Sequence, residues 1–185
     1  MTDTTARDGQ WEDRTISMTM ANVAGLAVMI PLIALVVVPY GLIHGWGAVG
    51  RGLSWGGGNL VLIVAALALS VVAHEGLHAA GWLIFGRVPR SEIELGVRHA
   101  TPYAHTTAVV AAGSYRVGIV LPALLLGVLP ALLSWLTGSS ALMVYGAFML
   151  AAAAGDVLVL WLIRDVPAKR LVQDHPTQAG CRVAR

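Results

Sequence analysis

Residues 59–86 read NLVLIVAALALSVVAHEGLHAAGWLIFG, a run that is apolar over nearly its whole length. At ~1.5 Å per residue it exceeds the ~30 Å hydrocarbon core of a bilayer. A surface helix of a soluble domain would carry a polar stripe on one side, and this run has almost none. Comparable runs recur at 21–44, 117–137 and 141–163. The sequence therefore predicts an all-α polytopic membrane protein with about four transmembrane helices. Composition agrees: hydrophobic residues make up 57% of the chain and charged residues 12%, far from a soluble mix.

Around these runs the chain divides into an N-terminal tail (1–20), a four-helix membrane domain (21–163) and a C-terminal tail (164–185). The first 20 residues mix acids and bases without an apolar period and read as a mobile cytoplasmic tail. Pro31 removes a backbone donor inside the first helix and predicts a bend there. The Gly-rich stretch 45–58 links the first two helices, and Gly138-Ser139-Ser140 makes a tight turn between the last two. Residues 87–116 form the one long loop. Alternation over Glu92–Val97 and β-branching from Thr106 to Val110 predict a short hairpin there, at the cytoplasmic face.

Orientation follows from the basic residues. Arg7 and Arg14 lie in the first tail, Arg87, Arg90, Arg98 and Arg116 in the long loop, and Arg164, Lys169, Arg170, Arg182 and Arg185 in the last tail. Arg51 stands alone on the other side. This distribution predicts a multi-pass protein of the cell membrane with both termini cytoplasmic, and with Trp46, Trp55 and Trp135 at the outer interface. Cys181 is the only cysteine, which excludes an internal disulfide and a thiolate zinc site. A formal charge of +2 gives no reason to expect nucleic acid as a partner.

Only Glu75 and Asp156, among ten acidic residues, fall well inside a predicted span. Ionisable groups at that depth are costly and mark function. His74-Glu75-Gly76-Leu77-His78 is an H-E-x-x-H pattern on a helix. Four residues advance slightly more than one turn, so both imidazoles share a face and can share a metal. Glu75 projects about 100° away, where it can reach a water beside that metal. At the chain's own His and Glu frequencies the pattern arises by chance in roughly a few sequences per thousand. The bland alternative makes the three residues interhelical hydrogen-bonding groups. Zinc accepts nitrogen and oxygen ligands tetrahedrally, and two histidines leave it one protein ligand short. Asp156 is the expected third. His78 lies nine residues before Arg87 and Asp156 eight before Arg164, so both sit ~12–14 Å from the same interface. Small residues at 79–81 and 151–155 let the two helices approach.

The other histidines carry less. His105 either reaches the site or is a solvated loop residue, the commoner case. His99 and His175 read as surface residues, and His44 as an interfacial one.

Together the H-E-x-x-H motif, Pro89, Gly96-Val97, Thr101-Pro102-Tyr103, Gly155-Asp156-Val157 and Asp174-His175-Pro176-Thr177 resemble the family of membrane zincin peptidases, over about residues 59–183. A more distant similarity is to site-2 proteases, although Gly155-Asp156-Val157 departs from their longer aspartate signature. The resemblance implies His74 and His78 as zinc ligands, Glu75 as general base and Asp156 as third ligand. The expected function is an intramembrane zinc metallopeptidase acting on membrane-embedded or membrane-associated proteins in the lipid bilayer. A non-proteolytic zinc-binding membrane protein (a sensor, carrier or adaptor) is the alternative.

Overall fold

The computed structural model describes residues 10–54, 60–98 and 101–185. Trp55, His99, Arg7 and the first nine tail residues lie outside them. Strand β1 (Trp11–Ile16) precedes α1 (Met18–His44), α2 (Trp46–Ser54) and α3 (Leu60–Phe85). Then come β2 (Ile93–Arg98), β3 (Thr101–Thr106) and β4 (Val109–Ala111). Helix α4 (Ala112–Pro122), a π-helical segment (Ala123–Val128) and α5 (Leu129–Thr137) run on as one rod. Helices α6 (Ser140–Ala152) and α7 (Ala154–Leu162), and strands β5 (Leu171–Asp174) and β6 (Ala179–Ala184), complete the chain.

Three helical rods are long and apolar enough to cross a membrane: Met18–His44, Ile63–Phe85 and Ala112–Thr137. The fourth candidate, α6 with α7, is bent by 44° at Ala153 rather than continuous. The Ala153 amide turns back to Met149 and Ala151, and a new helix starts at Ala154. Helix α1 opens on Ser17, whose hydroxyl accepts from the Met20 amide, and runs through Pro31 and Pro39. At the 138–140 turn Gly138 takes a left-handed φ of 71°, which glycine adopts without steric cost. Part of the Gly-rich link folds as the short helix α2.

The expected hairpin is present: β2 and β3 pair antiparallel from Ile93↔Thr106 to Arg98↔Thr101. The all-α expectation fails elsewhere. A second, four-stranded antiparallel sheet of order β1-β6-β5-β4 takes in both segments read as tails. Its register joins the chain ends, Trp11↔Ala184 through Ile16↔Ala179, so residues 11–16 are no loose tail. The Val109–Val110 β-branching belongs to this sheet, pairing with Gln173 and Val172, rather than to the hairpin.

Two apolar clusters hold the parts together. One joins the sheets to the helices through Trp82, Val110, Tyr115, Ile163, Val172 and Cys181. The other lies among α1, α2, α5 and α6, around Val36, Tyr40, Met143 and Leu150. Helix α3 packs chiefly on α4 and on strand β3, which sets its second half against the sheets.

Candidate metal centre

His74, His78 and Trp82 recur every four residues and share the face of α3 that meets α4. The crossing with α4 is close because two glycines meet there. A Cβ on Gly81 would lie 2.6 Å from the Gly118 Cα. Backbone carbonyls of α4 are thereby brought within reach of α3 side chains. His78 Nδ1 lies 3.0 Å from the Gly118 carbonyl and donates to it, and Trp82 Nε1 donates to the Tyr115 carbonyl at 3.3 Å. The His78 ring also stacks on Trp82, with centroids 5.8 Å apart.

Asp156 reaches the same point from α7. It stands in the first turn after the bend, where the positive end of the helix dipole favours a carboxylate. Its Oδ2 lies 3.1 Å from His74 Nε2 and its Oδ1 lies 3.3 Å from His78 Nε2. Both histidines are buried at 6% exposure, so water does not separate the three groups. Glu75 joins from the side: one of its carboxylate oxygens and one nitrogen of each ring lie within 4.8 Å of one another. The Ala104 amide of β3 is hydrogen-bonded to the Glu75 carboxylate.

Residues 67–171 match the model of the family described as "Putative zincin peptidase". The chain belongs to this family. The description assigns zincin peptidases zinc as cofactor and peptide hydrolysis as reaction class. No curated protein and no solved structure matches the chain.

The donor set fits zinc on physical grounds. In neutral His78, donation from Nδ1 to Gly118 leaves a lone pair on Nε2. That lone pair faces a carboxylate oxygen at 3.3 Å, an acceptor against an acceptor, which either a metal ion between them or a second ring proton resolves. Tetrahedral zinc with bonds of about 2.0–2.1 Å holds its ligand atoms roughly 3.3 Å apart. The two contacts at 3.1 and 3.3 Å, one on each Asp156 oxygen, are compatible with that spacing, and the first is also a hydrogen-bond distance. Among the described residues His74 Nδ1 is buried without a hydrogen-bond partner, so packing and the Asp156 contact alone orient that ring.

Of the remaining histidines, His105 departs most from expectation. It sits on β3, not in a solvated loop, and its Nδ1 lies 2.7 Å from Asp174 Oδ2. The other oxygen of Asp174 accepts from the Tyr115 hydroxyl at 2.6 Å, and Tyr115 stacks on Trp82. Three elements, β3, β5 and α4, are thus tied to the helix that carries the H-E-x-x-H motif. Reading the sequence missed Tyr115, Trp82 and the Gly118 carbonyl, and singled out the Asp174 segment without giving it a role. Trp82 was signalled by its spacing from His78, whereas a backbone carbonyl leaves no mark in a sequence. His44 lies remote from the centre, with Nε2 2.8 Å from the Trp135 carbonyl. His175 Nδ1 accepts from the Thr177 and Gln178 amides and serves the turn between β5 and β6.

Proposed function

We propose that the protein is an intramembrane zinc metallopeptidase, with His74, His78 and Asp156 as the zinc ligands and Glu75 as the general base. The observation that carries this reading is the convergence of both Nε2 atoms on one carboxylate, with a second carboxylate alongside. A purely structural site has no use for that second carboxylate.

Zinc bound there supplies Lewis acidity toward a water and a peptide carbonyl. The chain's own residues do the rest. Glu75 takes the proton of the attacking water on a carboxylate oxygen and hands it to the nitrogen of the leaving amine. Gly118 fixes the His78 ring through Nδ1. Strand β3 runs beside the site. The Thr107-to-Glu92 bond sets the hairpin's alternation so that the Ala104 amide and carbonyl point away from β2. That edge gives its Ala104 amide to Glu75 and has no amide at Pro102, so an unwound segment of a membrane-embedded or membrane-associated substrate would meet its carbonyls there.

The bilayer setting rests on the apolar rods and on the large exposed side chains along them, such as Leu26, Ile30, Leu42, Val61, Leu69 and Ile84. Four crossings fit the sheet. Backbone hydrogen bonds cannot pass through hydrocarbon, so β1, β4, β5 and β6 share one side. The chain must then cross an even number of times between β1 and β4, and again between β4 and β5. Counting the bent pair as one span gives two and two. Arg14, Arg116, Arg164, Lys169, Arg170 and Arg182 lie on or next to the elements of the sheet end, which supports a cytoplasmic placement of that side and of both termini.

Glu75→Gln tests the reading. The amide keeps the side chain's size but accepts no proton at neutral pH. Zinc content stays at the wild-type level, while cleavage of a membrane-embedded substrate falls by ~10²-fold or more. Equal cleavage by both proteins removes Glu75 from the mechanism. Zinc bound by a wild type that yields no Glu75-dependent product on a broad substrate panel reassigns the chain to zinc sensing or carriage.

A further inference from the structure

A carbonyl inside an α-helix normally accepts from the amide four residues on. For Gly118 that residue is Pro122, which has no amide hydrogen. The next amide along, that of Ala123, bonds the Val120 carbonyl instead. The regular ladder ends here, and the π-helical segment Ala123–Val128 begins. Gly118 thus has a carbonyl without its usual helical donor, deep between two helices, where an unmet acceptor is costly. The donor that meets it is His78 Nδ1, at 3.0 Å. Glycine at 118 is needed for the approach, since a Cβ there would lie 2.2 Å from two atoms of the Trp82 ring.

We infer that Pro122 is a positioning residue for the metal centre: by withholding an amide from Gly118 it reserves that carbonyl for His78. The consequence is a fixed ring. With an Nδ1 proton held by the Gly118 carbonyl, Nε2 always faces Asp156, and the ring cannot flip without breaking that bond to α4. An alanine at 122 returns the missing donor, and the Gly118 carbonyl is then shared or lost to the helix. The inference rests on His78 being a zinc ligand, yet its first consequence, the Nδ1–Gly118 hydrogen bond, belongs to the metal-free protein.

The test compares wild type, Pro122→Ala and Pro130→Ala in detergent. Pro130 is likewise a buried helical proline, but the carbonyl four residues before it belongs to Leu126, which no histidine uses. Three quantities are read: the NMR signal of the hydrogen-bonded Nδ1–H of His78 without metal, zinc affinity by chelator competition, and the thermal midpoint of the metal-free protein. Pro122→Ala is expected to lose or shift that signal and to weaken zinc about 10-fold, the lower end of what an orienting partner contributes. Its midpoint stays within about 5 °C of wild type, because a regained helical hydrogen bond offsets the lost ring. Pro130→Ala changes neither signal nor affinity. An unchanged Nδ1–H signal and wild-type affinity in Pro122→Ala overturn the inference. So does a loss of zinc that tracks a collapse of the midpoint, or an equal loss in Pro130→Ala, since either assigns Pro122 to packing alone. A wild type that binds no zinc but shows the hydrogen-bonded Nδ1–H, lost in Pro122→Ala, upholds the inference and fails the zinc reading.

Discussion

Gly81→Ala places one methyl group at the crossing of α3 and α4, where it meets the Gly118 Cα at 2.6 Å and the Gly118 nitrogen at 3.3 Å. Carbon atoms settle at roughly 3.5–4.0 Å, so the two backbones must part by about 1 Å. Two hydrogen bonds span that crossing, His78 to Gly118 at 3.0 Å and Trp82 to Tyr115 at 3.3 Å. Lengthened by about 1 Å, both leave hydrogen-bonding range. The overpacking costs about 1–3 kcal/mol, which lowers the thermal midpoint by roughly 2–10 °C. Losing the Gly118 contact costs His78 its orientation and the site ~10–100-fold in zinc affinity. Gly76→Ala is the matched control: among the described residues no packing neighbour lies within 4 Å of a Cβ there, so it keeps zinc and, as a better helix former, does not lower the midpoint. Differential scanning fluorimetry and chelator competition read both effects on the purified protein. A Gly81→Ala protein with wild-type midpoint and zinc affinity refutes the reasoning, because it means the helices do not meet at these glycines.

Three further outcomes are expected. His74→Ala and His78→Ala each abolish stoichiometric zinc and Asp156→Asn weakens it, whereas His175→Ala leaves it intact; metal analysis of the four proteins decides. Cysteines introduced at residues 10 and 175 are labelled from the cytoplasmic side and one at residue 52 from the other, so cytoplasmic labelling at 52 overturns the topology. Cys181 is fully buried, and burial with Asp174 nearby pushes its thiol from an ordinary 9.0 up to about 12. The unfolded chain loses that proton first, so the fold is favoured below about pH 9 and loses stability as pH climbs from there toward 12. Maleimide at pH 8 should accordingly spare Cys181 until the protein unfolds, and fast labelling of the native state would contradict its burial.

What could be read from the sequence was local or periodic. The H-E-x-x-H spacing needs only a helix to bring His74 and His78 together, and hydropathy supplied the helix. Asp156 was found by matching depths, which works because an apolar rod is a ruler. The hairpin showed as brief alternation from Glu92 to Val97. The terminal sheet did not show, because its strands are short and charged and their partners lie across the chain: Glu12 pairs with Val183, and Asp13 with Arg182. Nothing in residues 11–16 announces burial, since that comes from the partner strand. His105 was misjudged for the same reason. Its carboxylate partner is 69 residues away, in a segment that reads as a tail.

The joining of β1 to β6 also says something about when the protein is finished. Residue 11 cannot find residue 184 until that residue has been translated and has left the ribosome. Until then α7, with Asp156 on it, is held by packing, by the Arg116 bonds to the Ile163 and Val166 carbonyls and by the pairing of β4 with β5. The clasp between the two ends of the sheet therefore closes last. A stop codon just before Ala179 leaves every described helix in the nascent chain and still withholds it. Such a product keeps its helices but leaves β1 without its partner and β5 with an open edge, rows of unpaired backbone groups ready to pair elsewhere.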